Sequence, residues 1–307
     1  MDKVFKSASA AGHDTKGLPG PRSSASRRVR GVRRRARAPR RGPPPRRLGT
    51  VLSAALLAAA AMAAAGGEKL DPGEVEVSTP VYHPVAGAHG EAETWNFGFS
   101  WSGVPVGRVT IRSNELRGED GIRSLEVSAE GTTNAVVDLL WRYRMTARGS
   151  IRLDPFHPGE FFSEEFENQR HKITKIKFGS GRASSERRKG ERVERFDFEA
   201  TNMLDILSTV FLVLNMDYLA GDEYYFDVFT GTSRYLVTVE VEGIETVKAA
   251  GSEQEAYRLR IDSESLTDPG DDEKHRETHL WVSASHPRRL LRARARTFVG
   301  AIHIVLE

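Results

Sequence analysis

The chain has 307 residues, with 45 Lys and Arg against 42 Asp and Glu, and it contains no cysteine. Its charge is unevenly placed: residues 1–67 carry 15 basic and 2 acidic side chains, a net of +13, and the remainder is net −10. The missing cysteines exclude disulfides, thiol nucleophiles and Cys-ligated metals. An acidic body behind a basic leader excludes a nucleic-acid partner.

Residues 1–47, rich in Arg, Pro, Gly and Ser, read as a disordered basic leader. Residues 48–65 form one apolar run, Leu48 to Ala65, directly behind Arg46 and Arg47 and ending in Ala63-Ala64-Ala65-Gly66. A positive region, a short apolar stretch and small residues at a cleavage site describe a secretory signal peptide. The expected address is therefore the periplasm, with cleavage near Ala65 and Gly66. A membrane anchor is the alternative, but the run is short and mostly Ala, only weakly lipophilic. After cleavage, membrane contact is expected to be transient at most. Residues 66–90 mix Pro, Gly, Glu and Val without a steady period, as in a linker or extended arm.

Residues 91–307 read as a single β-rich domain. Trp95, Phe97, Phe99 and Trp101 alternate with Asn96, Gly98 and Ser100, the period-2 pattern of a half-buried strand. Ser102 to Pro105 carry turn residues, and a second alternating run follows from Val106, so Gly103, Pro105 and Gly107 mark a hairpin connection. Similar runs appear at 122–130, 138–154, 160–178, 192–198, 224–229, 234–247, 256–262, 278–283, 289–297 and 300–306. Most have one apolar and one charged face, the mark of an antiparallel sheet with one wet side.

One segment departs from this rhythm. Residues 202–218 read as a helix with Asn202 as N-cap, Asp205 in the first turn and Gly221 beyond the end. Asn202, Asp205, Ser208, Thr209 and Asn215 gather on one side, and the apolar remainder covers more than half the circumference. So wide an apolar face belongs to an enclosed helix. The expected fold is all-β with one helix: a curved antiparallel sheet or half-barrel with the helix packed across its concave face.

The phrase Trp101-Ser102-Gly103-Val104-Pro105-Val106-Gly107-Arg108-Val109 resembles the opening of the bacterial family named domain of unknown function 3108. Asp205 and Ser208, three apart at a helix start, match that family's second landmark, followed by Gly221-Asp222 before a strand. Leu280-Trp281-Val282-Ser283, then Pro287-Arg288-Arg289 and Gly300, match the third. The likeness spans about residues 91–307. It implies an exported protein with no established activity.

The chain holds no G-x-S-x-G elbow, H-E-x-x-H, phosphate loop or G-x-G-x-x-G. No catalytic residue, metal site or cofactor is assigned. His275, Glu277 and His279 form an H-x-E-x-H string, read as a solvated approach to the Trp281 strand rather than a ligand set. Asp205 and Ser208 share a helix side with no histidine or lysine placed beside them, so local capping is the expected role. The cationic stretch 172–195 reads as an exposed face or partner patch.

A curved sheet with a helix across its mouth can hold one apolar ligand. Trp95, Phe97, Phe211, Leu214 and Trp281 are the candidate cavity residues. The expected function is non-catalytic binding of an apolar or lipid-like envelope molecule. The alternative is an envelope assembly or protein-interaction module with a filled core.

Overall fold

The computed structural model describes residues 92–179, 181–199, 201–267, 278–297 and 300–307. The first half of the chain forms β1 (Glu93–Trp101), β2 (Val104–Arg117), β3 (Arg123–Thr133), β4 (Tyr143–Leu153), β5 (Phe156–Glu167), β6 (Arg170–Gly179), β7 (Arg182–Lys189) and β8 (Arg192–Glu199). The second half forms β9 (Glu223–Phe229), β10 (Arg234–Ala249), β11 (Ser252–Ser265), β12 (Thr278–Ser283), β13 (Leu290–Thr297) and β14 (Gly300–Leu306). Among the described residues two helices accompany them, α1 (Ala135–Asp138) and α2 (Ile206–Leu214).

All fourteen strands join one antiparallel sheet, in the order β8-β7-β6-β5-β4-β3-β2-β1-β14-β13-β12-β11-β10-β9. Each half is an up-and-down meander, and the two are joined where β1 pairs with β14, Phe97 opposite Leu306. The sheet is not closed by a ladder, because β8 and β9 are its two edges. Side chains meet across that gap instead. Phe198 of β8 lies edge-on to Phe229 of β9 at 5.2 Å, and the Arg234 guanidinium sits 5.6 Å from the Phe198 ring. The Ser185 hydroxyl donates to the Gly231 carbonyl at 2.6 Å.

Alternation explains which side each strand buries. Along β3, Leu125, Val127, Ala129, Gly131 and Thr133 turn inward while Glu126 and Glu130 face water. The inward sets from nearly every strand, together with α2, make one continuous core. Each fully buried Leu, Ile or Phe in it contributes about 1.5–3 kcal/mol. A second, smaller cluster of Val247, Ala249, Ala256, Trp281 and Leu291 lies apart from the first. The β10–β11 hairpin supplies three of its members, and the tip of that hairpin is pinned where the Ala250 amide donates to the Leu306 carbonyl at 2.9 Å.

The β1–β2 connection is a two-residue turn with Trp101 opposite Val104. Ser102 and Gly103 both have positive φ, +48° and +85°, as the turn that matches strand twist requires. Gly107 serves a different purpose. A Cβ there would sit 2.1 Å from the Thr132 carbonyl oxygen, so the close approach of β3, and not the turn, demands glycine.

Three local features differ from the sequence expectation. α2 spans nine residues rather than 202–218, because Leu204 is drawn into a parallel bridge with Val228. The Leu204 amide donates to Asp227 and the Leu204 carbonyl accepts from Phe229, at 2.9 and 2.8 Å, leaving Asp205 rather than Asn202 as the N-cap. A second helix, α1, ends at Asp138 where the expected 138–154 run begins, and β4 starts only at Tyr143. Asn134 starts it by accepting from the Val136 and Val137 amides. The third is β7, a strand whose inward positions carry Ala183 and Ser185, too polar a set to show an apolar face. The expected signal peptide and linker lie outside the described residues.

Candidate binding site

Helix α2 packs against β4, β5 and β9 inside the curled sheet. Its start is fixed by Asp205, which accepts from the Leu207 and Ser208 amides at 2.9 and 3.1 Å and from the Ser208 hydroxyl at 2.5 Å. Thr209 donates to the Asp205 carbonyl at 2.8 Å. Asp205, Ser208 and Thr209 are all buried, so the side read as polar in sequence faces protein and satisfies itself locally. Burial pushes the Asp205 carboxyl above the ordinary range, and its hydrogen bonds only partly oppose this. Gly149 of β4 lets the helix come close, with a Cβ there 3.3 Å from Leu207 Cδ1.

The helix leaves an apolar crevice of about 20 Å³ against β10–β13. Val210, Val213 and Leu214 form its helical wall; Val237, Val239, Ile261, Leu280 and Leu290 form the sheet wall, with Thr209 at one side. Ligand pockets of drug-sized molecules run to about 300–1,000 Å³, and one water needs about 10–15 Å³. The open space is therefore that of a single small group.

The candidate residues separate around this crevice. Leu214 lines it. Phe211 is on the other side of the helix, 5.8 Å from the Trp95 ring, and Phe97 is buried in the main core with both. Trp281 is a correction: it belongs to the second cluster, on the face of β12 opposite Leu280 and Val282. Side chains alternate along a strand, so a residue one position from Leu280 cannot share its wall. Trp281 stacks with Arg292 instead, 4.9 Å from the guanidinium, and donates its indole N–H to Glu245.

Near the crevice stands a residue that the sequence marked only as part of the Pro287-Arg288-Arg289 turn and not as a site residue. The Arg288 side chain, 5% exposed, reaches in from the turn between β12 and β13. Its guanidinium lies 4.7 Å from the Tyr218 ring and 5.3 Å from the Tyr257 ring. The Ser283 hydroxyl holds that turn by accepting from the Arg289 amide at 2.8 Å. Two elements link Arg288 to the crevice: Tyr218 donates its hydroxyl to the carbonyl of Val213, and Leu290 follows Arg288 by two residues. Burial raises the Tyr218 phenol well above its usual range, with Arg288 pulling the other way. Tyr224, packed nearby, has its hydroxyl 2.8 Å from the Asp217 carbonyl and 2.9 Å from Asp222 Oδ2; burial and that carboxylate push it up to about 12.

The 172–195 stretch is a cross-strand ladder of ion pairs, among them Lys172 with Glu165, Arg182 with Asp197 and Arg187 with Glu194. His279 lies 3.3 Å from Glu242 and 3.1 Å from Arg258, whereas His275 and Glu277 fall outside the described residues. Among the described residues, no group of three or more His, Asp or Glu could hold a metal, and no helix is long and apolar enough to cross a membrane. Around α1, Val136, Leu139 and Leu140 stand 75–90% exposed. This tip is held rigidly: Asn134 bonds the Pro105 and Val106 carbonyls, both at 2.8 Å. Arg144 pairs with Asp138, holding that carboxyl down to about 2.

Comparison with known proteins gives three findings. A family model described as protein of unknown function (DUF3108) matches residues 94–307. No curated protein matches the chain. Among solved structures, the chain is similar to a β-barrel-like protein of domain of unknown function DUF1849 from Brucella abortus. That likeness has a TM-score of 0.49 at 10% identity, over 70% of this chain and 94% of the other.

Proposed function

Because the chain belongs to the DUF3108 family, which carries no defined activity, we propose from its site alone that it is a non-catalytic binding protein of the cell envelope for an apolar or lipid-like molecule. The observation that supports this is the crevice itself, an apolar slot between α2 and β10–β13 walled by Val, Leu and Ile. Apolar lining with one polar group at the edge is what a small hydrophobic ligand uses. The slot as it stands admits a single group, so a longer chain enters only as the C-terminal turn of α2 yields. Asn215 and Met216 just beyond that turn are half-buried, whereas Asp205 and Leu204 at the other end are wholly buried. The apolar run 48–65 supports an envelope address.

Native mass spectrometry of the purified mature protein, with displacement of a fluorescent fatty-acid probe, tests the proposal. A co-purifying amphiphile or saturable probe uptake is expected. A clean protein that ignores the probe overturns it and leaves the second reading, an interaction module with a filled core. The exposed Val136, Leu139 and Leu140 favour that alternative, since an apolar patch on a rigid tip is a feature of contact surfaces.

A further inference from the structure

We infer that Arg288 is the anchoring cation for the carboxylate head group of an amphiphile whose alkyl part takes the α2 crevice; this rests on the binding function proposed above. The first support is the state of the guanidinium. The Arg288 side chain is 5% exposed, yet its Nε and Nη1 atoms have no hydrogen-bond partner among the described residues. Among the described residues its ion-pair partner is Asp217, 3.9 Å from Nη2 and itself 85% exposed. A buried cation with unfilled donors destabilises a fold unless acceptors are supplied. The two tyrosine faces at 4.7 and 5.3 Å hold the charge by cation–π attraction but accept no N–H bond in the ring plane.

The second support is placement. Arg288 adjoins Val213 through Tyr218 and adjoins Leu290 along the chain, and both Val213 and Leu290 line the crevice. The N–H donors and positive charge of Arg288 thus lie one residue beyond the hydrocarbon lining of the crevice. That pairing is the chemistry of a fatty carboxylate. A single guanidinium with Asp217 close by suits one negative charge; a phosphate dianion would leave excess charge facing that carboxylate.

Titration calorimetry with decanoate, decanol and acetate on the mature protein and its variants tests this. The wild type should bind decanoate about tenfold or more tighter than decanol, the scale of hydrogen bonds to a charged group. Arg288→Met should reduce decanoate to the level of decanol and leave decanol unchanged. Arg289→Met, beside it but facing Glu93, should keep the full preference. If Arg288→Met fails to fold, Arg288→Lys, which keeps the charge but loses the planar donors, should lose several-fold in preference at an unchanged melting temperature. Equal affinity for decanoate and decanol, or a preference that survives both Arg288 substitutions, overturns the anchor and leaves the crevice proposal standing. Acetate binding as tightly as decanoate overturns the amphiphile. Binding of neither decanoate nor decanol overturns the crevice and the anchor together.

Discussion

Asp205 is the residue on which α2 turns. It is a fully buried carboxyl with three donors, and burial raises its proton affinity above that of a free Asp near 3.8. A group whose folded value is raised contributes stability that is complete below the unfolded value and is lost as pH rises through the folded one. Asp205→Asn keeps an oxygen for the Leu207 and Ser208 amides and cannot ionise. The melting temperature of the wild type relative to Asp205→Asn should therefore fall as pH is raised from about 4 toward neutrality. A relative rise over that window would mean that the carboxylate is the favoured buried form. Local capping by Asp205 and Ser208 was expected from the sequence, which nevertheless placed the N-cap itself at Asn202 rather than Asp205. Arg288 was not, because Pro-Arg-Arg in a turn reads as surface, and only the fold brings Tyr218 and Tyr257 to its two sides.

At the scale of elements, strands with strict alternation declared themselves, and those satisfied from a distance did not. β7 buries Ser185, whose hydroxyl is taken up by Gly231 beyond α2, and no local pattern announces such a partner. The start of α2 likewise depends on β9, which claims Leu204. The β1–β2 hairpin was legible from Gly103, Pro105 and Gly107, though the reason for Gly107 lies in β3. Gly107→Val should lower the melting temperature well below that of Val104→Ala, by about 2 kcal/mol or more of stability, since Val104 is 62% exposed while a Cβ at 107 meets backbone. Thermal melts of the two variants that coincide would displace Gly107 from its place opposite Thr133.

For the domain, composition and alternation conveyed a curved antiparallel sheet with a helix packed against it, and the structure has that form, with a shorter helix and a second one added. They could not convey where the sheet ends, because ladder order is set by pairings between residues far apart. The N-terminal segment yields an expectation of its own: Edman or mass-spectrometric analysis of the exported protein should place its first residue near Gly66. Full-length chain recovered from the membrane fraction would count against cleavage. The order of the sheet also governs how the domain is assembled. Every ladder but one joins strands consecutive in the chain, whereas β1 and β14 bring Phe97 to Leu306. The entropy of closing so long a loop falls on that single pairing. The local hairpins are expected to form first, with the pairing of β1 and β14 setting the folding rate. Substitutions along that one ladder therefore slow folding, while equally destabilising ones at the β8 edge hasten unfolding.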